Sequence, residues 1–325
     1  GRVGVCIATS GPGATNLVTG LATAYMDSIP MVAITGQVDI AMLGRDAFQE
    51  TDILDVTMPI TKHNYKIKNA ADLVPTIRQA FALARSGRQG PVLLDVPRNL
   101  FFEEVAYTPA EPEVRPPGKP DADFMICAAE AAAEIAAAER PLVIVGGGVI
   151  SAGTSAEITS FIEKYHLPVV HTLMGMGAVP STHPQMLGFA GMHGEKAANY
   201  AIGAADLVIA VGSRFADRQT GNLSKYTENR KFIHIDIDPA EIDKNIKNSL
   251  GLAGDMRTIL KLLMRQSPKS DLAAWWEQIR TWQEEYDYDY HVGRLTVPWA
   301  LHQVAQSTTG KAYAYVTDVG QHQMW

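Results

Sequence analysis

Short apolar runs rich in branched residues alternate with helical patterns along most of this chain. That rhythm constrains the fold more than any other feature. Gly4-Ala8, Met31-Thr35 and Pro91-Val96 read as strands, with helices over Ala14-Tyr25 and Asp72-Arg85. Strands separated by helices of this length argue for a parallel sheet covered on both faces.

The rhythm is interrupted once, by TPAEPEVRPPGKPDAD at Thr108–Asp123. Its five prolines and several charges make a stiff, extended, solvated stretch. It is the clearest domain boundary in the sequence. Beyond it, helix Ile126-Ala138, strand Leu142-Val145, helix Thr154-Tyr165 and strand Pro168-Thr172 restart the pattern. Strands Leu207-Val211 and Phe232-Ile237 and a closing helix Met256-Met264 complete it. This is the βαβ order of a second doubly wound sheet.

Ser267–Arg294 is polar and aromatic, and Trp275, Ile279 and Trp282 share one helical face suited to packing on a domain. Its acidic end reads as solvated surface rather than a metal site. A further unit opens with helix Pro298-Gln306, strand Tyr313-Thr317 and the segment DVGQHQMW. The expectation is therefore an α/β protein: two doubly wound parallel-sheet domains plus the truncated start of a third. The divisions are 1–108, a linker over 109–123, 124–266, a connecting segment over 267–295, and 296–325. The chain starts at Gly1 inside an apparent strand and stops at Trp325 just past another, which reads as an internal piece of a longer enzyme.

The bulk numbers exclude some classes. Of the 325 residues, 46% are hydrophobic and 19% charged, an ordinary balance with ample core material. A net charge of −7 and the lack of a basic cluster argue against nucleic-acid binding. Cys6, in an apolar strand, and Cys127, in an Ala-rich helix, read as buried thiols in a reducing compartment. No Cys/His cluster has zinc spacing, and no apolar run reaches the length of a membrane span. A cytoplasmic location is the default, with a lost organelle transit peptide left open.

Ser10-Gly11-Pro12-Gly13 bends the chain between a strand and a helix. Glycine permits backbone angles and close approaches that other residues forbid. Ligands bind at the carboxyl ends of parallel strands, and helix starts offer unpaired N–H groups. A simple cap by Thr15 or Asn16 explains the same residues equally well.

The longer word decides more. ATSGPGATNLVTGLATAYMDSIPMVAITGQV resembles the pyrimidine-binding domain of thiamine-diphosphate enzymes. Within them it is similar to the catalytic large subunits of the acetolactate (acetohydroxyacid) synthase family. The resemblance continues in order through DAFQETD (Asp46–Asp52), KHNYKIK (Lys62–Lys68), SGRQGPVLLDVP (Ser86–Pro97) and TLMGMGAVP (Thr172–Pro180). It runs on through GMHG (Gly191–Gly194), RFADRQTGN (Arg214–Asn222), HIDIDPAEI (His234–Ile242) and DVGQHQMW (Asp318–Trp325). It covers essentially the whole chain.

That resemblance implies an activity: decarboxylation of pyruvate on thiamine diphosphate, then ligation of the hydroxyethyl carbanion to a second 2-ketoacid, pyruvate or 2-ketobutyrate. It implies a transferase of branched-chain amino-acid biosynthesis, a homodimer or tetramer with its active site at the dimer interface, and a possible regulatory small subunit. It makes 1–108 the later part of a pyrimidine-binding domain, 124–266 a central FAD domain, and 296–325 the start of a diphosphate-binding domain. Thiamine diphosphate, FAD and Mg2+ are the implied cofactors. The family's upstream glutamate and its metal motif fall outside this sequence, so the chain alone is expected to be inactive.

The implied site residues follow the motifs. Pro12 and Asn16 would border the aminopyrimidine, while Gln321 and His322 would donate to the diphosphate. Phe48 and Gln49 would line the substrate channel, against the plainer reading of a loop with a buried ring. Arg98 stands near the channel mouth where the family usually has Lys, and Asp39 replaces a common proline; a planar guanidinium is not a lysine. Arg218 would hold the acceptor's carboxylate, against the plainer reading of an ion pair with Asp217. Ala216 departs from the family's acidic residue.

For FAD the implied residues are Arg88, Gly146, Gly147, Gly148, Thr172, Leu173, Met174, Gly191, Met192, His193, Gly194, Gly212, Arg214, Asp217, Asp236, Ile237 and Asp255. Taken alone, Val145-Gly146-Gly147-Gly148 is a weak dinucleotide fingerprint, because Ser151 replaces its last glycine. Asp238 before Pro239 reads as a turn former. Glyoxylate carboligase and an FAD-dependent pyruvate oxidase are the nearest rival enzymes. A dinucleotide-binding regulatory protein is the non-enzymatic one.

Overall fold

The computed structural model describes residues 2–109, 121–267, 271–287 and 293–324. The chain forms two compact units, Gly1–Gly118 and Lys119–Trp325. Most of the expected linker, residues 110–120, lies outside the described residues.

The first unit holds strands β1 (Gly4–Ala8), β2 (Met31–Gln37), β3 (His63–Lys66) and β4 (Pro91–Pro97) in a four-stranded sheet of order β1-β2-β4-β3. Every pairing is parallel. Every residue of β4 is buried, which explains its unbroken apolar run. Side chains alternate across the sheet. Val32, Val92 and Leu94 face the cluster completed by Ala80 and Ala84 of helix Leu73–Arg85. Ala33 and Leu93 face the opposite cluster, with Ala14, Leu21 and Ile53. The inner strands β2 and β4 are therefore covered on both faces, whereas on edge strand β1 Val5 and Ile7 are exposed. The helix expected over Ala14-Tyr25 is two helices, Pro12–Thr15 and Val18–Met26.

The second unit carries β5 (Pro141–Val145), β6 (Val169–His171), β7 (Met186–Phe189), β8 (Leu207–Val211), β9 (Lys231–Asp236) and β10 (Leu250–Ala253). They form a six-stranded parallel sheet of order β10-β9-β8-β5-β6-β7. Its core joins the fully buried β5 and β8 to Phe161, Ile162, Ile259 and Leu260 from the covering helices. Helix Ala122–Ala137 starts earlier than expected because the Asp121 carboxylate accepts from Phe124 N at 2.8 Å. Helix Ala273–Glu285 belongs to this core: Trp275 and Ile279 are buried, and the Trp275 indole N–H donates to Pro141 O at 3.0 Å. Trp282 packs half-buried against it.

One expected strand is corrected. Residues 312–318 form no strand, and Tyr313, Tyr315 and Val316 are exposed. No neighbouring strand among the described residues pairs with them, and a lone strand cannot satisfy its backbone.

Candidate active site at the carboxyl ends of the sheets

In the first unit, β1 runs straight into Gly11, which has φ 58° and ψ −120°. Side-chain-bearing residues avoid that conformation. A Cβ on Gly11 would also lie 2.8 Å from both Cβ and O of Gln49. The turn after β1 and the DAFQETD loop are thus in backbone contact at the carboxyl end of the sheet. Pro12 opens the short helix and Asn16 ends it, both exposed, and no side chain caps its start. Thr15 instead donates from Oγ1 to Pro12 O at 3.3 Å.

The loop carrying Phe48 and Gln49 is braced from within. The Glu50 carboxylate accepts from Gly44 N at 2.5 Å and Ala47 N at 3.0 Å. Those bonds hold its pKa below the ordinary carboxylate value. Gln49 adopts φ 60°, uncommon for a residue with a side chain. Phe48 is 87% exposed, so its ring is not the buried loop ring of the plainer reading. Arg98 Nε lies 3.4 Å from Asp39 Oδ1, so the two departures from the family pattern pair with each other. Arg88 belongs to this unit, where its Nε donates to Ser28 Oγ at 2.9 Å.

In the second unit the chain passes from β5 to β6 and β7 on one side, then returns to β8, β9 and β10 on the other. The switch lies between β5 and β8, where doubly wound sheets open a crevice. Gly146 N donates to Val211 O at 2.9 Å, and Gly148 N to Gly212 O at 3.1 Å. A Cβ on Gly146 would lie 2.1 Å from Gly212 O, and one on Gly148 2.7 Å from Gly212 Cα. These glycines therefore let the two loops at the switch touch. Gly147 abuts Met174 instead.

The other expected residues surround that junction. Thr172 N donates to Val145 O at 3.0 Å, and Leu173 and Met174 follow in a short turn with Met174 exposed. Asn199 brackets Gly191, accepting from its N at 3.0 Å and donating to its O at 2.9 Å. Met192 N donates to Arg218 O at 2.8 Å, and Arg218 Nη1 lies 3.8 Å from Met192 Sδ. Gly194 N closes that turn on Gly191 O at 2.9 Å, and His193 is exposed. Asp217 and Arg218 are exposed, Arg214 is half-buried, and neither arginine pairs with a carboxylate among the described residues.

Asp236 is buried at the end of β9, its Oδ1 accepting from Asp238 N at 2.9 Å, and burial pushes its pKa up. Ile237 beside it is exposed. Asp238 caps the turn at Ala240 N at 3.0 Å, as expected. Asp255 is occupied as a helix cap, its Oδ1 accepting from Thr258 N at 2.8 Å and Thr258 Oγ1 at 2.7 Å. His322 is exposed in the last described helix, and the Gln321 side chain lies outside the described residues.

Two supporting chains were not singled out by sequence reasoning. Thr35, Gln37 and Asp95 form a buried network beneath the Phe48–Gln49 loop. His234 Nε2 faces Ser213 O at 2.9 Å, and Ser213 Oγ donates to Gln219 Oε1 at 3.0 Å, stapling the loop that carries Arg214 and Arg218. TGQ, LLDVP and HID carry these residues, but only the fold shows which ones meet.

Residues 1–56 match the N-terminal TPP binding domain of thiamine pyrophosphate enzymes, and residues 128–263 match the central domain of the same enzymes. The chain belongs to the thiamine pyrophosphate enzymes. In the terms of that family, the turn at Gly11 and the DAFQETD loop belong to its N-terminal TPP binding domain, and the β5–β8 switch lies in its central domain. The family read from the motifs is borne out.

The chain is 44% identical over 339 residues to the acetolactate synthase large subunit of Parasynechococcus marenigrum, covering all of this chain and 54% of the relative. It is 41% identical to the acetolactate synthase isozyme 3 large subunit of Escherichia coli, covering all of this chain and 58% of that protein. It is 43% identical to the acetolactate synthase large subunit of Corynebacterium glutamicum, of which it covers 53%. The chain spans about half the length of the curated relatives it matches.

Proposed function

We propose that this chain belongs to an acetolactate synthase large subunit, joining pyruvate to a second 2-ketoacid with loss of carbon dioxide. The acceptor is pyruvate or 2-ketobutyrate, and the product feeds branched-chain amino-acid synthesis. The observation that carries the reading is the contact between the Gly11 turn and Gln49 at the carboxyl end of the first sheet. Pro12 and Asn16 follow that turn and Phe48 precedes Gln49, four exposed residues that the sequence places in two separate motifs.

Thiamine diphosphate, when bound, supplies the electron sink that stabilises a carbanion next to its ring. An exposed aromatic ring beside a glycine turn suits a planar heterocycle, so the residues present fit that group. Pro12 and Asn16 would border its pyrimidine, with Gln321 and His322 donating to its diphosphate. Gln49 presents an amide beside the reacting carbons, and Phe48 excludes water from the channel wall. Arg218 would hold the acceptor's carboxylate by paired N–H donors, which selects a 2-ketoacid, and Arg98 would draw anionic substrate toward the mouth.

The β5–β8 switch fits FAD. Met174, Met192 and Ile237 are exposed apolar groups, and Arg214 offers a guanidinium not spent on a carboxylate among the described residues. Arg88, Gly146, Gly147, Gly148, Thr172, Leu173, Gly191, His193, Gly194, Gly212, Asp217, Asp236 and Asp255 complete that proposed set. The ligation has no net redox change, so the flavin's part would be structural. Mg2+ would be held by residues outside this chain. A homodimer or tetramer, completing each site across its interface, and a regulatory small subunit complete the proposal. Among the described residues no helix is long and apolar enough to cross a membrane.

Product analysis of the full-length protein with thiamine diphosphate, Mg2+ and FAD tests the reading. Acetolactate from pyruvate is the expected product. Tartronate semialdehyde from glyoxylate would make it a carboligase of the other kind, acetyl phosphate with peroxide an oxidase, and no product a binding protein.

A further inference from the structure

Beneath the loop that carries Phe48 and Gln49 lies a buried polar cluster to which the motifs assign no role. Asp95, near the end of β4, is 1% exposed. Its Oδ1 accepts from Thr35 Oγ1 at 2.8 Å and its Oδ2 from Gln37 Nε2 at 3.1 Å. Gln37 Nε2 also donates to Thr51 O at 2.8 Å, and Gln37 Oε1 accepts from Val38 N at 2.9 Å. Both hydrogens of the Gln37 amide are therefore spent, one on a buried carboxylate and one on the backbone just after Gln49 and Glu50.

A buried carboxylate is costly unless donors face it. Burial pushes the Asp95 pKa up, and the bonds from Thr35 and Gln37 pull it down. An amide held by such a carboxylate cannot rotate without stranding it, so its other hydrogen is aimed at Thr51 with little freedom. Apolar residues would fill the space under a surface loop without that cost. The arrangement fixes a height, and the height it fixes is that of the loop resting on Gly11.

We propose that Gln37 and Asp95 are positioning residues of the candidate site: through Thr51 they set where Phe48 and Gln49 stand against the Gly11 turn. The inference rests on the reading of Gln49 as a residue beside the reacting carbons.

A polarity swap separates this role from mere packing. Gln37→Glu alone sets two carboxylates face to face and removes the donor to Thr51, so it lowers stability and activity together. Adding Asp95→Asn restores the contact with its direction reversed. The amide nitrogen introduced on β4 donates to the carboxylate introduced on β2, and Thr35 still donates to the amide oxygen. The net charge is that of wild type. At Thr51 the donor is replaced by a carboxylate oxygen, so the carbonyl loses its bond and meets a second acceptor instead. In the full-length holoenzyme, the double variant is expected to melt above Gln37→Glu and below wild type and to have kcat lower by roughly 10- to 100-fold, with KM for pyruvate little changed. Amide exchange over residues 47–53 should be faster.

Gln49→Ala is measured alongside. Unchanged exchange in the double variant overturns the clamp. Faster exchange with wild-type kcat, where Gln49→Ala is impaired, overturns the positioning role. Wild-type kcat in Gln49→Ala defeats the site reading instead, and amide exchange then decides the clamp by itself.

Discussion

Gly11 stands so close to Gln49 that a single added methyl group would lie 2.8 Å from that residue's Cβ and carbonyl oxygen. Two loops far apart in sequence therefore share one position that only hydrogen can occupy. The contact links the turn that follows β1 to the loop that displays Phe48.

Gly11→Ala should accordingly be severe. It meets both a forbidden backbone conformation and a backbone clash, and about 3 kcal/mol or more of destabilisation is expected. Gly44→Ala is the control: φ is 73° but nothing lies within 4 Å of the added carbon. Strain alone should cost it about 1 kcal/mol. Urea unfolding followed by far-ultraviolet circular dichroism measures both, and equal costs would contradict the close approach.

Gly146→Ala should strike the second unit. Its added carbon would lie 2.1 Å from Gly212 O, with backbone rather than a flexible side chain in the way. A loss of about 3 kcal/mol or more is expected. All five tryptophans lie in this unit, so their fluorescence follows it alone.

Asp39 and Arg98 form a partly solvated pair, with side chains 39% and 72% exposed although the Asp39 Oδ1 that faces Arg98 is buried. A double-mutant cycle through Asp39→Ala and Arg98→Ala should give a coupling of about 0.5 kcal/mol at low salt that vanishes at high salt. A coupling several times larger would contradict a screened, partly solvated pair.

Burial lowers the pKa of both His234 and His171 from the ordinary histidine value of 6.5. A histidine with a depressed folded pKa is neutral in the fold when the unfolded chain already binds a proton. Their contribution to stability is complete above about pH 6.5 and declines as pH falls from there toward the folded pKa values. His234 Nε2 faces a carbonyl, so it carries the proton, and its buried Nδ1 has no hydrogen-bond partner among the described residues. His234→Gln should flatten part of the decline in melting temperature between about pH 7 and 5. An unchanged slope would contradict its burial as a neutral ring.

Much of this architecture was legible in the residues. The buried runs of β4, β5 and β8 announce parallel strands by being almost wholly apolar, and Ser10-Gly11-Pro12-Gly13 announces a tight bend between a strand and a helix. β3, β7 and β10 were not foreseen. Each is four residues long, β3 is His-Asn-Tyr-Lys, and β7 and β10 each contain a glycine. Such strands exist because a neighbour offers a ladder, a property of the sheet rather than of the segment. The opposite error, at Tyr313-Thr317, has the same cause: strand-forming residues without a partner strand. The Gln37–Asp95 contact was invisible for a related reason, since only the β2–β4 register brings the two side chains together.

The most direct test of the central claim is a titration of the full-length protein with thiamine diphosphate and Mg2+, in wild type and in Asn16→Ala. Asn16 is exposed and makes no side-chain hydrogen bond among the described residues, so its removal should not disturb folding. The account predicts saturable binding by wild type and about tenfold weaker binding by the variant at unchanged melting temperature. Wild type without saturable binding, or a variant that binds as tightly as wild type, would contradict a cofactor site at the Gly11 turn.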